Sequence, residues 1–218
     1  MSDQPISRSD AGLPEDAVVY ASFNKHAKIT PHAFSAWTAV IKAVPGSVLW
    51  INCVPEEARA NLLKHASAAG VEQDRIIFTE RIPYADHLRR LQLADLFLDT
   101  FPFNGGATAS DALWAGLPLI TLSGRGFASR MAGSLLTSIG LSDLIIENWE
   151  TYQATAIELG LNPKKLKVLR ERLASNRLSK PTFDTKLFTR NLEKAYQEMI
   201  KLEKPSSIVV QQHQTNKK

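Results

Sequence analysis

Cysteine is scarce in this sequence, and the scarcity limits both its chemistry and its expected compartment. Cys53 is the only cysteine among the 218 residues, so no disulfide can form within the chain. Chains without disulfides are typical of the reducing cytoplasm, which we predict as the location of the protein. Cys53 lies inside an apolar run, and this position favours a buried, unreactive thiol over a nucleophile.

Long hydrophobic runs are also missing. No stretch reaches the roughly 18 apolar residues of a membrane-spanning helix, and no membrane partner is predicted. The polar N-terminus, MSDQPISRSDAGLPED, lacks the apolar core of a secretory signal peptide. We expect residues 1–13 to form a flexible leader and residues 204–218 to form a disordered tail. Residues 14–203 are long enough for one domain with a substantial core.

Motifs of metal binding and hydrolysis are absent as well. The histidines are scattered, and none stands at the HxxxH or HExxH spacing of a helical metal site. The sequence holds neither a GxSxG elbow nor a Walker-type phosphate loop, which disfavours a hydrolase or a P-loop nucleotidase. We therefore predict no metal and no cofactor.

The charge balance is modestly basic, with a formal net charge of +4. Basic residues cluster at 164–172, in the sequence KKLKVLRER, and at Lys217 and Lys218. Because no aromatic residues interleave with the first cluster, a solvated helix face is favoured over a nucleic-acid surface. A nucleic-acid-binding domain remains an alternative, and a modest positive field also suits a ligand that carries phosphates.

Short continuous apolar runs alternate with helical patterns over the first two thirds of the chain. Such runs are typical of strands buried on both faces. Their alternation with helices predicts βαβ units, right-handed crossovers and an α/β fold with a doubly wound, Rossmann-like parallel sheet. The predicted strands are 18–23, 47–52, 75–78, 96–99, 117–122 and 144–146, and the predicted helices between them are 31–44, 56–69, 84–94, 110–115 and 130–139.

The last third changes character, since three helices at 151–159, 163–174 and 185–203 follow without clear strands between them. In the last of these helices, apolar residues recur at the spacing of one helix face: Phe188, Leu192, Tyr196 and Met199. This face either packs on its own domain or reaches across to a second domain, and the sequence does not decide between the two.

The loop after the fourth predicted strand carries the strongest binding signal. It reads Asn104-Gly105-Gly106-Ala107-Thr108 and leads into a helix predicted from Ser110. Adjacent glycines permit close backbone approach, and the free N–H groups and positive end of the helix suit an anionic phosphate. Asp111, in the first helical turn, can accept hydrogen bonds from ribose hydroxyls or complement the helix dipole. A plain Asn-Gly-Gly turn remains the alternative.

Other loops that follow strands carry polar residues at the same edge of the sheet, where open α/β sheets bind ligands. Asn24, Lys25 and Lys28 follow the first strand, and Lys28 can reach a phosphate or remain a plain surface lysine. His87 and Arg90 share one helix face, where they can stack on a base or simply face solvent.

The stretch 98–118, LDTFPFNGGATASDALWAGLP, closely resembles the C-terminal catalytic domain of protein O-GlcNAc transferases, and bacterial members in particular. Further matches fall in the family order, so the resemblance covers roughly residues 13–203; they lie at 13–17, 23–24, 47–50, 75–78 and 128–130. The resemblance implies the C-terminal half of a GT-B glycosyltransferase, whose two Rossmann-like domains face a cleft. It further implies UDP-GlcNAc as donor, a protein Ser or Thr hydroxyl as acceptor, inversion at the anomeric carbon and no metal requirement.

The resemblance also assigns residues. Lys28 matches the lysine that contacts the diphosphate and stabilises the leaving UDP, so it is the predicted catalytic residue. The backbone at Ile82 matches a position that hydrogen-bonds the uracil edge, and His87 and Arg90 match residues that pack around this base. Thr108 and Asp111 match residues that bind phosphate oxygens and ribose hydroxyls. The predicted donor site also includes Asn24, Lys25, Asn104, Gly105, Gly106 and Ala107.

Three departures from animal members bear on the donor. Lys25 stands in place of a glutamine, Gly106 and Ala107 stand in place of His-Thr, and Tyr84 replaces a lysine. These changes leave UDP-glucose open as the donor, because related bacterial protein glucosyltransferases share this half.

The family's N-terminal catalytic half, with its active-site histidine, and its tetratricopeptide superhelix are not in this sequence. We therefore expect activity to need a separate partner half. A non-catalytic nucleotide-binding module is the alternative.

Overall fold

A computed structural model describes residues 6–202 of the chain, and a six-stranded parallel sheet forms its centre. The strands lie in the order β3-β2-β1-β4-β5-β6, so the sheet winds in opposite directions from β1 and β4. This order confirms the predicted doubly wound fold. The strands are β1 Val19–Ser22, β2 Val48–Asn52, β3 Ile76–Thr79, β4 Leu96–Leu98, β5 Leu119–Leu122 and β6 Ile145–Ile146.

Eight α-helices, with short 3₁₀ turns between some of them, complete the described chain. They are α1 Pro31–Ala43, α2 Glu56–Ala68, α3 Tyr84–Arg90, α4 Ala107–Ala115, α5 Met131–Ser138, α6 Trp149–Leu161, α7 Pro163–Ser179 and α8 Thr185–Ile200. Within residues 6–202, no helix combines the length and the apolar character needed to cross a membrane.

Local sequence signals account for several helix ends. The Thr30 hydroxyl accepts a hydrogen bond from the Ala33 N–H at 3.2 Å, and Pro31 occupies the first helical position of α1. Gly70 follows α2 with a φ of 77°, a left-handed conformation that glycine adopts without steric cost. Both ends agree with the prediction from sequence.

Helix α6 is tied into the core from the face of β1. The buried Tyr20 hydroxyl donates to the carbonyl of Ala156 at 2.9 Å, and the Tyr152 hydroxyl donates to the carbonyl of Asp99 at 3.1 Å. A Cβ atom on Gly160 would lie 1.9 Å from the Tyr20 oxygen, so only glycine lets α6 approach this closely. The helix-rich last third of the chain therefore begins as part of the main domain, with α6 beside the end of β4.

The N-terminal segment is more ordered than predicted. Arg8 forms an ion pair with Asp95 at 2.8 Å and donates to the carbonyls of Glu15 and Ala17, while Leu13 is buried. The prediction of a flexible leader over residues 1–13 is therefore wrong for residues 8–13, because Arg8 attaches this segment to the start of β4. Residues 1–5 and the predicted tail, 204–218, lie outside the described residues.

Helix α8 does not bury its apolar face on this domain. Phe188, Leu192, Tyr196 and Met199 are all exposed, and no residue of α8 is buried within the described chain. The interpretation that this face packs on its own domain is wrong, and its alternative, contact with a second domain, stays a prediction.

Candidate functional site

The predicted site residues lie beyond the carboxyl ends of β1 and β4, where the winding of the sheet reverses. Such a reversal leaves a crevice between neighbouring loops, which is the usual ligand site of an open parallel sheet. Asn24 follows β1, and the segment from Asp99 to Gly106 connects β4 to α4. The loop and the helix that were predicted to hold a phosphate therefore occupy this crevice.

Asp99 organises the loop, although sequence reasoning did not select it. Its carboxylate is fully buried and accepts four hydrogen bonds at 2.7 to 2.9 Å. The donors are the Asn24 side-chain amide, the Thr121 hydroxyl and the backbone N–H groups of Thr100 and Gly105. An ionisable residue directly after a buried strand was the signal available in the sequence.

Burial raises the pKa of Asp99 from 3.8 to about 6, and the hydrogen bonds from its four donors oppose this rise. The carboxylate is ionised at neutral pH, where it acts solely as an acceptor. A buried ionised group costs stability unless it is fully hydrogen-bonded, and here three of the four donors come from the loops that form the crevice, while the Thr121 hydroxyl comes from β5.

Because the pKa of Asp99 is raised on folding, the free energy of unfolding should depend on pH, and comparison with Asp99→Asn isolates this contribution. Between the unfolded value of 3.8 and the folded value of about 6, the folded chain binds more protons at Asp99 than the unfolded chain does. As pH falls through this window, the free energy of unfolding should rise relative to Asp99→Asn, by roughly 1 to 3 kcal/mol in total. Urea unfolding of both chains at about pH 7.5 and about pH 4.5 measures the difference; parallel pH profiles would contradict the assignment.

A chain of hydrogen bonds leads from Asp99 to the start of α4. The Asn24 amide nitrogen donates to Asp99 at 2.9 Å, so the Asn24 amide oxygen faces Thr108 and accepts from its hydroxyl at 2.5 Å. The Thr108 hydroxyl therefore directs its proton at Asn24. Because that proton is engaged, the backbone N–H is the donor that Thr108 offers a phosphate in this arrangement, and the match of Thr108 to a phosphate-binding residue stays a prediction.

Gly105 is required by close approach. A Cβ atom there would lie 2.7 Å from the Thr108 hydroxyl oxygen and 3.1 Å from both the Ala109 nitrogen and the Asn24 amide oxygen. Gly106 is the N-cap of α4, which begins at Ala107, three residues before the predicted start at Ser110. The first N–H groups of a helix lack partners within it, so the backbone at 106–108 can face an anion.

Asn104 supports the loop from inside. Its buried side-chain amide donates to the carbonyls of Thr100 and Leu122, and its backbone N–H donates to the carbonyl of Ala128. The side-chain amide therefore lies in the interior of the loop, which leaves the backbone of Asn104 to face the crevice, and the place of Asn104 in the donor site stays a prediction.

Lys28 brings a positive charge to the predicted phosphate loop. Its Nζ donates to the carbonyl of Asn104 at 3.0 Å and lies 3.9 Å from the centre of the Phe103 ring. Burial lowers the pKa of Lys28, and the negative charge of Asp99 opposes that change. These contacts place a positive charge against the predicted phosphate loop, as the sequence indicated.

A cavity of about 590 Å³ opens beside this loop, between the ends of β1, β2 and β3 and the helices α3 and α4. Five predicted site residues line it: Lys25, Ile82, His87, Arg90 and Thr108. The structure thus joins the predicted base-binding residues to the predicted phosphate-binding residues through Thr108.

Arg90 and His87 differ in their roles. The Arg90 guanidinium is buried, donating to the Thr79 hydroxyl at 3.1 Å and the Glu80 carbonyl at 2.7 Å, and it lies 4.8 Å from the Phe23 ring. Arg90 Nε also donates to His87 Nδ1 at 3.1 Å. Arg90 therefore supports the cavity wall. Stacking of its side chain on a base stays a prediction.

His87 is held as a neutral imidazole. Burial lowers its pKa most, and the nearby Arg90 charge lowers it further. Because His87 Nδ1 accepts from Arg90, the proton of the neutral ring lies on Nε2. His87 therefore offers the cavity a donor that carries no charge at neutral pH.

Asp111 lies one turn further into α4 than predicted, because the helix begins at Ala107. This position weakens the alternative in which Asp111 merely complements the helix dipole, since that effect is confined to the first turn. Its Oδ1 accepts a hydrogen bond from the Tyr84 hydroxyl at 2.6 Å. Within residues 6–202, no cluster of three or more His, Cys, Asp or Glu side chains could hold a metal ion.

The doubly wound sheet, with Lys28 against the loop at its reversal point, has the Rossmann-like fold of one half of a GT-B glycosyltransferase, and this is the class of protein. Residues 4–192 match the model of glycosyl transferase family 41, and the chain belongs to this family. The resemblance to protein O-GlcNAc transferases is thereby confirmed.

Individual relatives support the assignment. The chain is 42% identical over 193 residues to the probable UDP-N-acetylglucosamine–peptide N-acetylglucosaminyltransferase SEC of Arabidopsis thaliana, covering 88% of this chain and 20% of that protein. It is 34% identical over 187 residues to the UDP-N-acetylglucosamine–peptide N-acetylglucosaminyltransferase of Caenorhabditis elegans, covering 86% and 16%. The chain thus spans about a fifth or less of the length of these relatives.

Solved structures agree. A mutant of the Thermobaculum terrenum O-GlcNAc transferase superposes with a TM-score of 0.79 at 30% identity, over 85% of this chain and 38% of that one. The sucrose-phosphate synthase of Thermosynechococcus elongatus, at 14% identity and a TM-score of 0.59 over 89% of this chain and 48% of that one, shares the fold alone.

Proposed function

We propose that this chain binds a UDP-sugar, with UDP-GlcNAc as the preferred donor, for an inverting glycosyltransferase that modifies Ser or Thr hydroxyls of proteins. The observation that carries the proposal is the meeting of Lys28, the start of α4 and the cavity beside His87 at one edge of the sheet. A uridine diphosphate needs these three features together: a cation, N–H donors for phosphate and an adjoining space for the base.

The chemical task of this half is electrostatic. When the bond from the anomeric carbon to the diphosphate breaks, negative charge grows on the leaving phosphate oxygens. Lys28, held against the carbonyl of Asn104, and the N–H groups at the start of α4 are the donors proposed to face these oxygens, and preorganised donors of this kind stabilise developing charge without rearranging. We propose that they fulfil this role without a divalent metal ion.

The remaining chemistry is assigned to a partner half. The matched region covers only 20% and 16% of two of the relatives, and the apolar face of α8 is exposed in the described structure. Both observations support a further part that contacts α8. We propose that this second half supplies the base for the acceptor hydroxyl and presents the protein acceptor through tetratricopeptide repeats. The buried free thiol of Cys53 supports a reducing location, for which we propose the cytoplasm.

Donor selectivity tests this proposal. In calorimetric titrations with EDTA present, UDP-GlcNAc and UDP-glucose are expected to bind at least about tenfold more tightly than a GDP-linked sugar, with UDP-GlcNAc the tighter of the two. Replacing EDTA with Mg²⁺ should change these affinities by less than about twofold, because in this proposal Lys28 and the helix N–H groups take the place of a metal ion at the phosphates.

Each outcome of this titration decides a different part of the proposal. Equal affinity for the UDP-linked and GDP-linked sugars would contradict the assignment of the cavity to uracil. A strong requirement for Mg²⁺ would contradict the role given to Lys28. If UDP-GlcNAc binds but no sugar reaches an acceptor peptide after the partner half is added, the chain is a nucleotide-binding module without catalysis.

A further inference from the structure

Tyr84 connects the two sides of the candidate site. It is the first residue of α3, it lines the cavity beside His87, and its side chain is largely exposed. Its hydroxyl donates to Oδ1 of Asp111 on α4 at 2.6 Å, so one hydrogen bond joins the helix beside the base cavity to the helix that begins at the phosphate loop.

The chemistry of this contact differs from that of an ion pair. A neutral phenol orients the Asp111 carboxylate without cancelling its charge, whereas a lysine at position 84 would offset it. The carboxylate can accept about four hydrogen bonds in total, so one bond to Tyr84 leaves capacity for others. The hydrogen bond from Tyr84 to Asp111 also raises the pKa of the phenol, which keeps the donated proton in place at neutral pH.

The two hydroxyls of a ribose are neutral donors that suit an acceptor-only carboxylate. A partly exposed aspartate on a helix can adopt more than one rotamer, and each of them presents its oxygens in a different direction. The bond from Tyr84 selects one of these rotamers before any ligand arrives, which lowers the entropic cost of binding.

We infer that Tyr84 is a positioning residue, which holds the Asp111 carboxylate for the ribose hydroxyls and so sets a preference for ribonucleotides over 2′-deoxyribonucleotides. The inference rests on the proposed function, because it takes the ligand to be a uridine diphosphate whose ribose lies beside Asp111. It differs from that proposal in assigning ribose selectivity to a residue on α3 that does not itself contact the diphosphate loop.

The test compares UDP with 2′-deoxy-UDP on the unaltered chain and on Tyr84→Phe. The unaltered chain should prefer UDP by about tenfold, the size of one charge-assisted hydrogen bond. Tyr84→Phe should lower the affinity for UDP by about three- to tenfold and change the affinity for 2′-deoxy-UDP by less than about twofold, so that the ratio narrows. Tyr196→Phe, which removes an exposed phenol from α8, is the matched control and should leave both affinities unchanged.

The possible failures are distinguishable. If the unaltered chain binds neither nucleotide, the proposed function fails and the role of Tyr84 fails with it. If it binds UDP and the ratio is the same in Tyr84→Phe, the inference alone is overturned. An equal loss for both nucleotides would indicate a merely structural role, and tighter binding by Tyr84→Phe would show that the phenol blocks Asp111; either result overturns the inference.

Discussion

Replacing Asp99 with alanine is expected to abolish UDP binding and to lower the free energy of unfolding by roughly 2 to 4 kcal/mol. The substitution leaves the Asn24 amide and the N–H groups of Thr100 and Gly105 without their buried acceptor. Each unsatisfied buried donor costs free energy, while removal of the buried charge offsets part of the loss. Urea unfolding and calorimetric titration with UDP measure the two effects.

Asp99→Asn is the matched control for this prediction. The asparagine keeps one acceptor oxygen for Asn24, Thr100 and Gly105, and its amide nitrogen can face Thr121, whose hydroxyl is able to rotate and accept. We expect the stability of this variant at pH 7 to equal or exceed that of the unaltered chain, and its UDP affinity to change by less than about threefold. If Asp99→Ala bound UDP as the unaltered chain does, Asp99 would not organise the site.

Replacing Lys28 with methionine is expected to weaken UDP binding by about 10- to 100-fold and to leave uridine binding unchanged. Methionine keeps most of the length and apolar contact of the lysine stem, so the Phe103 ring retains a neighbour while the charge is lost. A cation that contacts only phosphate contributes nothing to a nucleoside, which is why the two ligands should respond differently. Paired calorimetric titrations with UDP and uridine measure the split.

Lys167→Met controls for the general positive field of the chain. Lys167 is exposed on α7 and pairs only loosely with Glu171, at 3.9 Å, so its removal lowers the net charge equally without touching the crevice. An equal loss of UDP affinity in both variants would indicate a diffuse charge effect. An equal loss of UDP and uridine affinity in Lys28→Met would show that Lys28 shapes the cavity without binding phosphate.

The fold was predictable because its signals are local. The strands come from short, mainly apolar runs, most of which the sheet buries, and the start of α1 is marked by two residues with specific capping roles, Thr30 and Pro31. Alternation of such elements restricts the topology to a few right-handed arrangements, of which the observed strand order is the common one.

The predicted position of the site was also within reach of the sequence, because ligand loops of such sheets follow the carboxyl ends of strands. The loop at 104–108 and Lys28 do meet there, although they are 76 residues apart at the Lys28–Asn104 hydrogen bond. Their proximity follows from the pairing of β1 with β4, which the doubly wound topology requires.

The hydrogen bonds inside the site could not be predicted from the sequence, because tertiary structure brings the bonded residues together. Asp99 accepts hydrogen bonds from Asn24, which is 75 residues away in the sequence, and from Thr121, which is 22 residues away. Neither separation matches a motif that would identify the pair from sequence. Arg8 is similar, since its ion pair with Asp95 spans 87 residues and makes an apparent leader part of the domain. A sequence shows which residues carry charge, whereas burial and hydrogen-bond partners decide whether that charge meets a ligand or supports a loop.

The central claim is that the crevice between β1 and β4 holds the diphosphate of a uridine nucleotide, and calorimetric titration of the unaltered chain with UDP against uridine tests it most directly. The account predicts saturable binding of UDP with a dissociation constant below about 1 mM, at least about tenfold tighter than that of uridine, because uridine lacks the phosphates that are proposed to contact Lys28 and the start of α4. No binding of UDP at millimolar concentration, or equal affinity for the two ligands, would contradict it.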